Sequence, residues 1–303
     1  MTGEFEAIER FRQLLPGPPA GETWIGDDAA LVVAPRGGLL LAADLVVAGV
    51  HVDLDLVGLD DMGWKAMAVN VSDIAAMGGE PTHALVAVAA PPETDLHVVF
   101  RGIADAVEAY GCPVVGGDLS SGSQLVISVT IVGDAGNRPP VLRAGALPGD
   151  TIFVTGPVGG SAAGLRVLRE GREDEAKELA DAYRRPQARV SEGRAARRAG
   201  ATAMVDVSDG LAADLRHLAD QSGVGVVIDN VPVRDGATMD EALGGGEDYE
   251  LVFTATNAGH VVAAFAETGL RQPIAIGRCT SDPNERRLGE GELPVAGWQH
   301  HWA

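Results

Sequence analysis

Short apolar runs bounded by glycine, proline and aspartate recur along the chain and alternate with longer stretches of helical spacing. Runs such as Leu39–Ala43 and Ala84–Ala90 have the length of buried strands. They are far shorter than the roughly 20 apolar residues that a membrane-spanning helix requires. Strands that alternate with helices are typical of α/β proteins. The sequence therefore predicts a mixed α/β (α+β) fold with no membrane span.

The periodicity assigns strands and helices to two halves of the chain. In the first half it predicts helices at 4–15, 59–77 and 94–110 and strands at 30–34, 39–47, 82–90, 113–117 and 124–133. In the second half it predicts strands at 151–155, 203–207, 224–229, 249–255 and 273–277, with helices that include 174–184 and 187–199. Between the halves, residues 135–150 are rich in proline and glycine, which marks a boundary. We therefore expect two α/β domains, 1–140 and 148–303.

Composition and net charge limit the cellular compartment and the kinds of partner that we expect. Apolar residues make up 46% of the chain and charged residues 22%, so we expect it to fold throughout. The two cysteines, Cys112 and Cys279, lie outside any C-x-x-C pair and are predicted to be ordinary thiols. The first residues are acidic and lack an apolar core, which indicates the cytoplasm. The formal net charge of −20 argues against nucleic acid, but ATP remains possible if divalent cations lie between the negative charges.

Carboxylates flanked by small residues recur at the ends of predicted strands or in helix-turn contexts. The set comprises Gly26-Asp27-Asp28-Ala29, Ala43-Asp44, Ser72-Asp73, Gly116-Gly117-Asp118, Asp206-Val207-Ser208-Asp209-Gly210 and Gly245-Gly246-Glu247-Asp248. Any one of these motifs alone is typical of a turn or a helix N-cap. Together they indicate several Mg²⁺ ions, because Mg²⁺ bound with phosphates takes only one or two protein carboxylates per ion.

Other nucleotide and hydrolase motifs are missing from the sequence. The two lysines, Lys65 and Lys177, do not follow glycine as a P-loop requires, and Val158 interrupts a dinucleotide-binding glycine pattern. No H-E-x-x-H motif occurs, so metal-dependent hydrolysis is not indicated. The glycine-rich segment Gly156–Gly164 fits a phosphate cradle at a helix N-terminus and a tight strand-to-helix turn equally well.

Six motifs, in their order along the chain, resemble those of one family. They are Gly26-Asp-Asp-Ala-Ala30, Val47-Ala-Gly-Val-His51, the long stretch Trp64–Gly78, Gly116-Gly-Asp118, Asp206-Val-Ser-Asp-Gly210 and Gly245-Gly-Glu-Asp-Tyr-Glu250. The chain resembles the thiamine-monophosphate kinase family from end to end. The resemblance implies a two-domain fold similar to aminoimidazole ribonucleotide synthetase (PurM-like). Its N-terminal α/β domain would form a homodimer through its β-sheet, and a C-terminal α/β domain would follow.

The same resemblance implies the ligands and the chemistry. The implied Mg²⁺ ligands are Asp28, Asp44, Asp73, Asp118, Asp206 and Asp209. The implied ATP contacts are Tyr110, Gly117, Asp118, Arg143 and Ser208, and those to thiamine phosphate are His51, Glu247 and Trp298. Direct in-line transfer of the γ-phosphoryl group of ATP would give thiamine diphosphate and ADP. No covalent nucleophile or general base is expected, because phosphoryl transfer depends on positioning and charge neutralisation.

Three departures from the family pattern leave alternatives open. Ala42 and Ala43 replace hydroxyl residues that commonly precede the aspartate at position 44. Leu119-Ser120-Ser121 follows Asp118 where the family often has Thr and Arg. The segment Pro232–Gly244 is short for the family. The chain could instead be another ATP-dependent enzyme of the superfamily with a different acceptor. It could also be a non-catalytic Mg²⁺–nucleotide sensor.

Overall fold

The computed structural model describes residues 4–26, 29–35 and 37–299, which divide into two compact units. The first unit comprises the residues up to Ile74 and the segment Glu80–Pro139. The second comprises the short segment Ala75–Gly79 and everything from Pro140 onward. Among the described residues, no helix has both the length and the apolar character that crossing a membrane requires.

The first unit contains a four-stranded sheet. Its elements are α1 (Glu4–Arg12), β1 (Leu39–Val47), α2 (Leu59–Ala76), β2 (Glu80–Ala90), α3 (Leu96–Tyr110), β3 (Val114–Ser121) and β4 (Val126–Asp134). The strand order is β1-β4-β2-β3, with β4 antiparallel to both neighbours and β3 parallel to β2. In β4, the buried residues Ile127, Val129 and Ile131 alternate with half-buried ones. The sheet therefore has one face in the core and one face toward the outside.

The second unit is built around a seven-stranded sheet in the order β11-β10-β7-β9-β5-β8-β6. Its strands are β5 (Thr151–Val154), β6 (Ala201–Asp206), β7 (Gly225–Ile228), β8 (Leu251–Ala255), β9 (Ile274–Thr280), β10 (Arg286–Leu288) and β11 (Gly291–Glu292). Its helices are α4 (Gly160–Arg169), α5 (Lys177–Arg184), α6 (Val190–Arg198), α7 (Leu211–Ser222), α8 (Met239–Gly244) and α9 (Ala258–Glu267).

Helices cover both faces of this second sheet. On one face, Ile152 and Val154 of β5 join a core with Leu215 and Leu218 of α7. On the other, Phe153 stacks on Phe253, with ring centroids 5.2 Å apart, in a core that includes Phe265 of α9. A sheet buried on both sides needs continuous apolar runs rather than alternation, as β5 and β8 show.

The mixed α/β fold is confirmed, and several details differ from the sequence prediction. Strand β3 extends to Ser121 instead of residue 117, so Asp118 lies within the strand, and α5 begins at Lys177 instead of residue 174. Helix α1 ends at Arg12 instead of residue 15. The strand predicted at 30–34 is wrong, because Leu31 makes only an isolated bridge with Thr23, and the N–H of Val33 donates to the carboxylate of Glu22 at 2.9 Å. The short strands β10 and β11 were not predicted, since they contain charged residues and glycine rather than an apolar run.

Candidate active site

Asn70 connects β1, at the predicted metal ligand Asp44, to α2, the helix that carries a second predicted metal ligand, Asp73. The backbone N–H of Asp44 donates to Asn70 Oδ1 at 2.9 Å, and Asn70 Nδ2 donates to the carbonyl of Ala66 at 2.9 Å. Asn70 is buried and lies three residues before Asp73, so both project from the same face of α2. The structure thus fixes the Asp44 segment of β1 against the turn of α2 that carries Asp73.

His51 and Asp44 interact electrostatically. Partial withdrawal from water raises the pKa of Asp44, and the nearby His51 opposes that rise. Nδ1 of His51 accepts the backbone N–H of Val47 at 3.0 Å, which assigns the neutral ring's proton to Nε2. His51, a predicted thiamine phosphate contact, therefore lies in a tight turn directly after the strand that carries Asp44.

Gly117 and Asp118 on β3 line a cavity of about 440 Å³ in the first unit. Most of its lining is apolar and includes Phe11 and Phe100, whose rings stack with centroids 4.2 Å apart. A side chain at Gly117 is impossible, because a Cβ there would lie 1.7 Å from the carbonyl oxygen of Val86. Asp118 is exposed at this cavity, and its carboxylate accepts the hydroxyl of Ser120 at 2.9 Å. The cavity combines an apolar wall with a carboxylate, as a nucleotide site does.

The predicted ATP contacts Tyr110 and Arg143 are not among the residues that line this cavity. Tyr110 ends α3, and its ring packs on Trp64 with centroids 5.6 Å apart. Arg143 is exposed in the second unit, where its carbonyl accepts the hydroxyl of Ser222 at 3.2 Å. Asp28 lies outside the described residues.

In the second unit, three loops meet at one end of the sheet. β5 and β6 both pair antiparallel with β8, which lies between them. The C-terminal ends of β5 and β6 and the beginning of β8 are therefore side by side. The loops at these ends are 156–159, 207–210 and 245–250.

Backbone hydrogen bonds bring four predicted ligands together at this end. The N–H of Glu247 donates to the carbonyl of Ser208 at 2.8 Å, and the N–H of Trp298 donates to the carbonyl of Asp209 at 2.9 Å. Glu247 and Tyr249 have φ values of 66° and 50°, a left-handed conformation that non-glycine residues rarely adopt. The strained backbone thus presents Glu247 beside Ser208 and Asp209, while the indole of Trp298 is about half exposed.

Asp206, at the end of β6, lies in a group of carboxylates that includes a residue we had not predicted, Asp214. Asp214 is buried and accepts the N–H groups of Asp209 and Gly210, both at 3.1 Å. Burial, and then the negative charges of Asp206 and Asp209, raise the pKa of Asp214 to about 8. Like charges held this close favour either a proton or a cation.

The chemistry of these side chains fits a hard cation. Mg²⁺ binds carboxylate oxygen in preference to imidazole nitrogen, and Asp44, Asp73 and Asp118 offer only oxygen, as Asp206 and Asp209 do in the second unit. Ligand atoms of Asp209, Asp214 and His217 lie within 4.8 Å of one another. In this group the carboxylate of Asp209 is the ligand best suited to Mg²⁺, because Asp214 already accepts two backbone N–H groups and His217 offers nitrogen. The predicted metal ligands therefore have the right donor type.

The glycine-rich turn before α4 is held by a carboxylate of the chain itself. The N–H groups of Gly159 and Ser161 donate to Asp248 at 2.5 and 3.1 Å. Burial raises the pKa of Asp248 to about 7, despite the hydrogen bonds from these N–H groups. Because these donors at the helix N-terminus are taken, the structure favours the tight-turn interpretation of this segment over the phosphate cradle.

Sequence reasoning assigned no positioning role to Asn70, Asp214 or Asp248. Asn70 is one of several polar residues in α2, so no local signal distinguishes it. Asp214 was visible as an acidic residue one turn into α7. Asp248 bonds to residues 87 and 89 positions earlier, a partnership that no local pattern indicates.

Comparison with known proteins gives a consistent family assignment. The family model described as AIR synthase related protein matches with its N-terminal domain at residues 26–135 and its C-terminal domain at 148–289. A thiamine-monophosphate kinase of Mycobacterium tuberculosis is 39% identical over 315 aligned positions, covering 98% of this chain and 91% of that protein.

Two solved structures are similar over nearly the full chain. Thiamine-monophosphate kinase from Stenotrophomonas maltophilia K279a gives a TM-score of 0.81 at 32% identity and covers 95% of this chain and 96% of its own. A structure described as AaThiL complexed with AMPPCP and TMP gives 0.77 at 34% identity, covering 99% and 97%. The chain belongs to the AIR synthase related family and, within it, to the thiamine-monophosphate kinases.

Proposed function

We propose that this chain is a Mg²⁺-dependent ATP:thiamine-phosphate phosphotransferase that forms thiamine diphosphate and ADP. The observation that carries the proposal is similarity over almost the entire length to thiamine-monophosphate kinases. A related structure with AMPPCP and TMP, at 34% identity, further supports this pair of substrates. In the second unit, the motifs at 206–210 and 245–250 lie at the end of β6 and before β8, where ligands bind in α/β proteins.

The carboxylates Asp44, Asp73, Asp118, Asp206 and Asp209 are the proposed metal ligands. Bound Mg²⁺ would neutralise the phosphate oxygens of both substrates. Asn70 holds the Asp44 segment against α2, and Asp214 holds the N-terminal turn of α7 next to Asp209. Because these ligands come from separate elements, we propose that more than one ion binds.

The cavity beside Gly117 and Asp118 is the proposed place for part of ATP. Its apolar wall suits an adenine base, and the close approach of β3 to β2 at Gly117 leaves backbone rather than side chain at its edge. The proposed contacts of Tyr110, Arg143 and Ser208 with ATP follow the family pattern. The guanidinium of Arg143 is exposed, and its planar set of donors suits a phosphate.

Thiamine phosphate carries a cationic ring and an anionic phosphate. The carboxylate of Glu247 and the exposed indole of Trp298 suit the ring, because a cation over an indole gains about 0.5–2 kcal/mol. His51, with its proton on Nε2, can donate a hydrogen bond to an oxygen of the acceptor. The acceptor phosphate is already anionic at neutral pH, so the transfer does not require a general base.

We further propose a homodimer that forms through the outer face of the first sheet. Leu39, Leu41 and Leu45 of β1 and Leu85 of β2 are all 42% or more exposed. The register places Ala43 and Leu85 opposite the same residue, Thr130, so the exposed leucines of β1 and Leu85 lie on the same face of the sheet, on either side of β4. Monomeric proteins rarely expose several large apolar side chains on one sheet face, and a second copy of the sheet would bury them.

The cytoplasm is the proposed compartment. Cys112 and Cys279 are buried free thiols, and burial raises the pKa of each to about 12, so both are unreactive. Free thiols without a disulfide partner suit a reducing compartment, where ATP is also available.

The test is to incubate the purified protein with Mg-ATP and thiamine phosphate and to follow the products by phosphorus NMR. We expect thiamine diphosphate and ADP in equal amounts, and no product when Mg²⁺ is chelated. A protein that binds Mg-ATP in a thermal-shift assay but forms no thiamine diphosphate would contradict the proposed acceptor.

A further inference from the structure

Arg166 on α4 and Glu241 on α8 form a two-point ion pair in the second unit. Arg166 Nε donates to Glu241 Oε1 at 2.7 Å, and Arg166 Nη2 donates to Oε2 at 3.2 Å. The same Nη2 donates to the carbonyl of Gly236 at 2.9 Å. Only 16% of the Glu241 side chain is exposed, so the pair is partly shielded from water. A bidentate arginine–carboxylate pair fixes orientation as well as distance.

Glu241 also organises the beginning of α8. Its carboxylate accepts the N–H of Thr238 at 2.8 Å, while its own N–H donates to the hydroxyl of Thr238 at 3.2 Å. This reciprocal capping box defines where α8 begins. One glutamate therefore both caps α8 and ties it to α4.

Glycines allow α4 and α8 to touch at backbone distance. A Cβ on Gly159 would lie 2.8 Å from the backbone nitrogen of Ala242. A Cβ on Gly245 would lie 2.4 Å from the Cβ of Ala162 on α4. The two helices are thus in direct contact at the point where α8 leads into the 245–250 loop.

That loop is tied to α4 at its other side as well. Asp248 accepts the N–H groups of Gly159 and Ser161 at the beginning of α4. Glu247 therefore lies between two connections to the same helix, the Arg166–Glu241 pair before it and the Asp248 bonds after it. Displacement of α8 would move Glu247, because only Gly245 and Gly246 separate Glu247 from the end of α8.

We infer that Arg166 is a positioning residue for acceptor binding: through Glu241 it holds α8 and sets where Glu247 meets the acceptor. Neither Arg166 nor Glu241 lies within the six motifs that carry the family resemblance. This inference rests on the proposed function, because it takes the ligand of Glu247 to be thiamine phosphate.

The test compares Arg166→Met with Arg169→Met. Both remove one positive charge from α4, but Arg169 is exposed. We expect Arg166→Met to raise the KM for thiamine phosphate about 5- to 10-fold, with less than a twofold change in the KM for ATP. Arg166→Lys should restore part of the loss, since it keeps the charge but not the two-point geometry. Arg169→Met should change neither KM.

A second measurement tests the positioning role of Arg166 without measuring enzyme turnover. Amide hydrogen exchange of residues 236–248 should be at least about threefold faster in Arg166→Met than in wild type, and unchanged in Arg169→Met. Equal changes in both KM values, or an unchanged exchange rate in this segment, would overturn the inference. If wild type itself makes no thiamine diphosphate, the proposed function fails, and the exchange experiment still decides whether Arg166 positions this loop.

Discussion

Asn70 Oδ1 accepts the backbone N–H of Asp44 at 2.9 Å, so one carboxamide joins a helix to the strand that carries a proposed metal ligand. Replacing Asn70 by alanine leaves that N–H without its partner. We expect Asn70→Ala to lower the free energy of unfolding by about 1–3 kcal/mol and to raise the Mg²⁺ concentration needed for half-maximal rate. Urea unfolding and Mg²⁺ titration measure the two effects. Asn137→Ala, in an exposed turn, should change neither.

The proposed metal ligands predict a large loss of rate when their charge is removed. Asp44→Asn and Asp73→Asn should each reduce turnover at limiting Mg²⁺ by at least about 100-fold, comparable to removing one transition-state electrostatic contact. Asp55→Asn, which neutralises an exposed aspartate of the same unit, is the control. Unchanged rates in both ligand variants would show that these carboxylates do not bind the catalytic metal.

Ala42 and Ala43 allow a gain-of-function test that depends on strand geometry. Side chains alternate along β1, so Ala42 shares the face of Asp44 while Ala43 points to the opposite face. We expect Ala42→Ser to supply an additional oxygen near Asp44 and to lower the Mg²⁺ requirement about twofold or more. Ala43→Ser should have no such effect. If the two variants behave alike in Mg²⁺ titrations, the missing hydroxyl on that face is not what limits metal binding.

Asp248 predicts a component of stability that decreases as pH rises. Its pKa is raised to about 7 in the folded protein, against roughly 3.9 in an unfolded chain. Between pH 4 and 7, Asp248 is therefore protonated in the folded state and ionised in the unfolded state. The stabilisation that is present below pH 4 is lost as pH rises through 7. The loss is at most about 4 kcal/mol. Asparagine at this position cannot titrate.

The measurement is urea unfolding of wild type and Asp248→Asn between pH 4 and 8, without Mg²⁺ or substrates. The contributions of other titrating groups cancel in the difference between the two proteins. We expect wild type to lose stability relative to the variant as pH increases. A difference that stays constant with pH would mean that Asp248 is ionised throughout.

The proposed dimer predicts that a charge placed in its interface lowers the mass of the protein in solution and leaves the fold of each chain intact. Leu41→Glu places a charge in the middle of the apolar face of β1 and should convert a dimer of about 62 kDa, twice the 31.2 kDa chain, into monomer. Light scattering after gel filtration measures this directly. Leu142→Glu, at a leucine of the other unit that is 52% exposed against 65% for Leu41, should leave the mass unchanged.

Elements that carry their own periodicity were predictable from sequence. β1, at Leu39–Val47, has the bounds that its apolar run predicts, and α3, whose C-cap Gly111 is left-handed, ends at the predicted Tyr110. The 30–34 segment has the composition of a strand but no partner strand, and a glutamate takes one of its N–H groups. Composition alone cannot reveal that the carboxylate of Glu22 competes with a partner strand for this N–H group.

The residues of the candidate site also fall into two groups, those that the sequence predicts and those that only the fold reveals. The carboxylates stand out because aspartate beside small residues recurs in six motifs along the chain, and their oxygen chemistry follows from residue type. The residues that hold them do not stand out: Asn70 acts across 26 positions and Asp248 across almost 90. Such bonds form only after the strands and helices have been brought together, so they are a property of the fold.

Glu247 and Tyr249 both adopt a left-handed backbone, which costs a non-glycine residue roughly 1–2 kcal/mol. Glycine at either position would remove that cost, and glycine at 247 should give a more heat-resistant protein. It would also delete the carboxylate proposed to meet the acceptor. Selection for thermal tolerance and selection for acceptor affinity therefore oppose each other at position 247.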